Sequence, residues 1–124
     1  MNNLLAIFIG GGLGSLARYG VGKWMANLLP VSFPYGTLTA NIISSLILGL
    51  FLGITAGRPE NDNPLRFLIA VGFCGGFSTF SSFSAETLEL FRNGMFFYGG
   101  LYILVSLLVC IAMIGIGGWI GKSF

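Results

Sequence analysis

Gly72-Phe73-Cys74-Gly75-Gly76-Phe77-Ser78-Thr79-Phe80-Ser81-Ser82-Phe83-Ser84 sits in the middle of an apolar stretch, 65–91, long enough to cross a bilayer. A glycine pair followed by hydroxyl residues weakens a helix, so the stretch is expected to break near 75–79 and restart around Thr79. Broken backbone at membrane depth is tolerated only where protein or a water-filled cavity surrounds it. Carbonyls freed near Gly75 and Ser78 become ligands for a bare cation. Amide donors at the restarted N-terminus favour an anion. The competing reading is a kinked helix whose hydroxyls bond back to its own carbonyls.

Outward from this segment the chain reads as one domain, 1–124. Its 124 residues are 55% hydrophobic and 8% charged, with mean hydropathy +0.89, against roughly 25% charge in a soluble domain. Six basic and four acidic side chains cannot clothe a water-facing surface. Four spans fit: 3–28, 35–57, 65–91 and 95–121. Leu29-Pro30, Pro34 and Arg58-Pro59 punctuate them, and 58–64 is the one polar loop. The first span lacks a basic start and a small-residue cleavage site, so it is expected to be retained rather than removed as a signal peptide. The fold class is therefore an all-α integral membrane protein.

Several functions drop out. A net charge of +2 without a basic cluster excludes a nucleic-acid partner. No histidine is present, and Cys74 and Cys110 lie far apart in apolar runs. Zinc ligation, histidine-based catalysis and a disulfide are not expected. Ser81 and Ser84 have no base in reach, so the chain does not read as an enzyme. Arg58, Arg66 and Lys122 fall to one side of the membrane, and Lys23, Arg92 and Arg18 to the other. Three against three gives no orientation bias, so both insertions are open.

Polar residues at depth carry the rest. Thr37, Asn41 and Ser45 recur every four residues on the second span, and Gly49, Gly53 and Gly57 extend that face as a small-residue ridge. Helix packing accounts for the glycines. It accounts less well for Asn41, whose amide its own helix cannot satisfy, which favours a pore-lining place. Tyr102, Ser106 and Cys110 form a second stripe on the fourth span, with an interfacial belt as the other reading of Tyr102. Phe80 and Phe83 share one face beyond the break, and Ser82 and Glu86 share another, with Ser81 between. The positive edges of two phenylalanine rings would attract a small anion without a full charge to trap it. Arg18 either snorkels to the headgroups or sits in an anion-gathering vestibule. Glu86 either is solvated or closes the polar line from Ser82.

Together these residues resemble the Fluc fluoride channels, also called the CrcB family. The resemblance covers essentially the whole chain: Gly11-Gly12-x-Gly14-x-x-x-Arg18-Tyr19, Gly36-Thr37-Leu38-x-x-Asn41, and the run Gly75 to Ser84. It implies a dual-topology antiparallel homodimer in the bacterial inner membrane, with two pores at the dimer interface, each lined by both subunits. On the matching positions it implies a fluoride pathway along Phe80, Phe83, Asn41, Ser81, Ser82, Glu86, Tyr102 and Ser106, with Arg18 in the vestibule. It also implies a central structural Na+, not transported, held by the backbone carbonyls of Gly75 and Ser78 from both subunits. Ser78 and Ser82 stand where the family commonly has threonine, and Cys110 where some members have a hydroxyl. The implied activity is passive export of fluoride. A proton-coupled small exporter is the rival, although the first span lacks the buried acid it needs. A fluoride–proton antiporter would need Glu86 to titrate in the pore, and a non-transporting scaffold would leave the polar stripes unexplained.

Overall fold

Asparagine and threonine set where three of the helices begin. A side-chain oxygen just ahead of a helix can satisfy one of its unpaired amides. α1 (Asn3–Leu28) starts behind Asn2, whose side chain accepts from Leu4 N–H at 3.0 Å. α2 (Tyr35–Ile54) follows the breaker Pro34. The third span (Pro64–Arg92) is two helices. Its first half, α3, starts behind the Asn63 cap with Pro64 at its first position. It runs through Pro64–Arg66, a π-helical stretch Phe67–Cys74 and a last α-turn Gly75–Phe77. Its second half, α4 (Phe80–Arg92), starts behind Thr79. α5 (Phe96–Gly121) completes the chain. This computed structural model describes residues 2–58 and 63–124, so most of the polar loop 58–64 lies outside the described residues.

Two sequence expectations shift. The break falls within 75–79 and the second helix restarts behind Thr79, as read, but the glycine pair itself does not open: Gly75 and Gly76 stay helical, and only Ser78 (φ −78°, ψ 156°) and Thr79 (φ −151°, ψ 121°) are extended. Glycines weaken a helix but cannot themselves capture a freed amide; the side chains that can do so are at and opposite 78–79. The second span ends at Ile54 rather than reaching residue 57. The Thr55 hydroxyl donates back to Phe51 O at 2.8 Å, and Gly57 turns away with φ +78°, so the α2 glycine ridge is Gly49 and Gly53 alone. Between α4 and α5, Gly94 takes φ +76°. Gly94 N–H then reaches Phe91 O and Met95 N–H reaches Leu90 O, which satisfies two end carbonyls.

The packing follows the glycines. α1 lies chiefly on α3 and α2 chiefly on α5, with α1 and α2 also touching. A Cβ on Gly10 or Gly14 would overlap the Leu68 or Phe73 carbonyl, and one on Gly76 would overlap Gly11 O. Gly49 and Gly53 meet the Ile114 and Gly118 carbonyls, while Gly117 and Gly121 sit under α2. Lipid tails are as apolar as leucine, so such bare backbone contact is what holds membrane helices together. All four spans are apolar enough to cross a bilayer, yet only 11% of the most apolar window of α5 is buried within the protomer. The outward-facing leucines and phenylalanines therefore need lipid or a second chain around them.

Candidate functional site: a polar groove at the helix break

The break is held by a two-way clamp. Thr79 N–H donates to Asn41 Oδ1 at 2.8 Å, and Asn41 Nδ2 donates to Thr79 O at 3.3 Å. The Thr79 hydroxyl caps α4 by accepting from Ser82 N–H at 3.2 Å. On the other side of the gap the Cys74 carbonyl accepts from Ser78 N–H, Ser78 Oγ and Ser44 Oγ at 3.0, 2.8 and 3.1 Å. A continuous helix would send Thr79 N–H to Gly75 O and Ser82 N–H to Ser78 O. Both amides are diverted here, the first to Asn41 and the second to Thr79. Gly75 O and Ser78 O thereby lose those two helical donors and become hard, uncharged oxygens of the kind an alkali cation takes. Gly75 is exposed with open space beside it.

Beside the break lies a groove of about 270 Å³ lined by Asn41, Ser45, Ser78, Thr79, Phe80, Phe83, Ser106 and Cys110, with Leu107, Ile111 and Ile114 as its apolar wall. The Phe80 and Phe83 rings stand 5.5 Å apart, tilted by 47°. Phe80 is 75% exposed, whereas Phe83 is 8% exposed and packs on Tyr102 at 5.1 Å. The Ser106 hydroxyl is buried in the protomer with no hydrogen-bond partner. An unpaired buried hydroxyl costs about 1–3 kcal/mol, so its place on a groove calls for a ligand or water. An asparagine amide carries two N–H donors. The clamp uses one, which leaves a second on a residue that lines the groove.

A wider recess of about 620 Å³ lies among Phe33, Tyr35, Thr37, Glu86, Glu89 and Met95. Glu86 ties three helices together there: Thr37 Oγ1 donates to Oε1 at 2.6 Å, and Tyr102 Oη donates to Oε2 at 3.2 Å. Tyr102 is fully buried, which excludes the interfacial-belt reading.

Of the sequence-derived candidates, the fold brings Asn41, Ser78, Phe80, Phe83 and Ser106 into one groove. Glu86 faces the wider recess, and Tyr102 reaches it through the carboxylate. Ser81 and Ser82 line neither space. Ser81 is exposed beside Thr79 Oγ1 at 3.3 Å, and Ser82 contributes its amide to the cap. Arg18 is partly exposed on α1 and also lines neither. Sequence reasoning missed Ser44, which holds the Cys74 carbonyl, and the role of Thr79 as clamp partner. The only signal for Ser44 was a small polar residue beside the 37–41–45 stripe on a helix that has to pack on the break.

Comparison with known proteins gives the family. The model of the CrcB-like, camphor resistance (CrcB) family matches residues 5–118. A protein of Leptospira interrogans serovar copenhageni named fluoride-specific ion channel FluC is 41% identical over 122 residues, 98% of this chain and 96% of its own. One of that name from Coxiella burnetii is 45% identical over 120 residues, 96% of this chain and 94% of its own. Another, from Dehalococcoides mccartyi, is 38% identical over 122 residues, covering 98% and 94%.

Proposed function

The chain belongs to the CrcB family, and on that footing we propose that it is a fluoride-selective channel of the bacterial inner membrane, a multi-pass protein that lets fluoride leave the cytoplasm passively. The observation that carries this reading is the groove itself. Two residues with uncommitted donors, Ser106 and Asn41, line the same groove as the Phe80 and Phe83 rings. Fluoride is small and strongly hydrated, so a path for it must replace water with several weak donors. A hydroxyl, an amide and ring edges each attract the ion without the full charge that would trap it. The clamp fixes the amide's direction before the ion arrives, so little reorganisation accompanies passage.

Each protomer supplies one wall of the path, and an antiparallel second copy supplies the other, giving two pores per dimer. The even distribution of arginine and lysine between the two faces permits the inverted insertion this needs. The released carbonyls of Gly75 and Ser78 suit a central Na+ shared by the two copies. Those carbonyls would hold the cation, which would supply a fixed positive charge there. Phe80 and Phe83, with Ser81 and Ser82 near the break, belong to the pathway. Thr37, Glu86 and Tyr102 form its polar exit, and Arg18 raises the local anion concentration at the mouth.

Neutral HF enters by crossing lipid and dissociates at cytoplasmic pH. An inside-negative potential then drives the trapped anion out by about 2.3 kcal/mol per 100 mV. No coupling residue is required, which separates this reading from a proton-coupled exporter and from an enzyme. Purified protein in liposomes tests it. With the potential shunted by a potassium ionophore, fluoride should leave rapidly, chloride should not, and no protons should move with the ion. Equal chloride release would remove the selectivity, and release tied to proton movement would favour the exporter. Replacing external and internal Na+ by a large organic cation should suppress flux; unchanged flux would remove the sodium from the account.

A further inference from the structure

The groove contains one group that a hydroxyl-lined anion path does not need, the thiol of Cys110. Cys110 stands one helical turn beyond Ser106 on the same face of α5, and both line the groove with Phe80 and Phe83. It is partly exposed and unpaired. The neighbouring Ser106 hydroxyl is 5% exposed and has no partner, so this end of the groove already has room and demand for a ligand. The other thiol is placed differently. Cys74 is 3% exposed within the protomer, is not among the groove residues, and its own carbonyl is tied up by Ser44 and Ser78.

From this placement we infer that Cys110 is an inhibitory site for soft, thiophilic metal species, which bind inside the conduction groove and close it. The inference rests on the groove being the ion route. Thiolate sulfur is a soft ligand that prefers such metals to the hard cations of ordinary buffers. With mercuric chloride the Cys110 S–H bond and one Hg–Cl bond break and an S–Hg bond forms. The proton and a chloride ion go to water, and no atom changes oxidation state. The –HgCl group left on sulfur is larger than a thiol hydrogen and projects among Leu107, Ile111 and Ser106. In a groove of about 270 Å³ it takes space that the ion needs. A thiol at this position therefore gives the channel a sensitivity to soft metals that a serine would not.

The test reads fluoride efflux from liposomes carrying the full-length protein, with and without mercuric chloride, as a ratio within each variant. Wild type should lose at least tenfold of its efflux rate and recover it with excess dithiol. Cys110→Ser should keep a ratio near one, while Cys74→Ser should remain as sensitive as wild type. Mass spectrometry of the treated protein supplies a readout independent of transport and should place the mercury adduct on Cys110. An insensitive wild type, a sensitive Cys110→Ser, or an adduct confined to Cys74 would each overturn the inference. Absence of fluoride efflux before treatment, with Cys110 labelled, would instead count against the channel reading on which it rests.

Discussion

Replacing Asn41 by aspartate keeps the side chain's shape and changes only what it can donate. In the native chain the amide accepts from Thr79 N–H at 2.8 Å and donates to Thr79 O at 3.3 Å. A carboxylate keeps the first bond and turns the second into a repulsion between two oxygens. The Thr79 carbonyl keeps the amide of the first turn of α4 but exchanges its second donor for a repelling oxygen, which loosens the clamp. The larger effect falls on the ion. A fixed negative charge about 5 Å from a passing anion repels it by about 3 kcal/mol at an effective dielectric near 20, or roughly two orders of magnitude in rate. Asn41→Ala is the necessary companion: it removes clamp and donor together without adding charge. In the liposome assay near neutral pH, Asn41→Asp should conduct at least about tenfold less than Asn41→Ala, both below wild type. Equal rates in the two variants would mean that the residue holds the break without facing the ion, and the assignment of its second N–H to the groove would be wrong.

Phe80 and Phe83 separate transport from stability. Phe80→Ile should abolish fluoride efflux and leave the melting temperature in detergent unchanged, since the ring is 75% exposed in the protomer. Phe83→Ile should abolish efflux and also lower stability by about 1–2 kcal/mol, because the ring contact with Tyr102 is lost; full flux in both would end the aromatic role. Glu86→Gln keeps one carbonyl acceptor for the two hydroxyls of Thr37 and Tyr102, so unfolding should become easier by about 1 kcal/mol. That variant should still move fluoride without protons, and proton-coupled flux that vanished in it would revive the exporter. Gly76→Ala should fail to fold, since its Cβ would overlap Gly11 O, whereas Gly75→Ala should fold as a protomer yet lose dimer in cross-linking, because only open space lies beside it. A stable Gly75→Ala dimer would remove that face from the proposed interface.

The sequence was most legible where a side chain had no alternative partner. Four spans followed from apolar length, and the polar residues that form the groove stood out because lipid offers them nothing. Less legible was who satisfies whom. Thr37, Asn41 and Ser45 read as one stripe with one purpose, yet Thr37 goes to Glu86, Asn41 to Thr79, and Ser45 to the groove. Periodicity gives the face a residue occupies but not the element that will arrive opposite it. The π-helical stretch Phe67–Cys74 is invisible for a related reason. Its residues Phe67-Leu68-Ile69-Ala70-Val71-Gly72-Phe73-Cys74 are as good for one helical pitch as for another, and the pitch is settled by packing against α1. The same holds for Ser81 and Ser82, whose hydroxyls are aligned by spacing but stand outside the groove of a single protomer.

The adjacent glycines at 75 and 76 show why the break sits at the far end of the expected stretch 75–79. Consecutive helical residues point about 100° apart, so a glycine pair opens two different faces of α3. Gly76 turns toward α1, where backbone meets backbone at Gly11, and Gly75 turns outward to open space. Both positions must stay helical for this to hold, because an extended residue at either would swing the other off its face. The opening is therefore delayed to Ser78 and Thr79, where Asn41 on α2 and the Thr79 hydroxyl can take the released amides. Diverting those two amides is also what frees Gly75 O and Ser78 O. Close packing on one face and exposed carbonyl oxygen on the other thus come from one short segment, with the amide of Asn41 opposite the gap taking the Thr79 N–H that would otherwise close it.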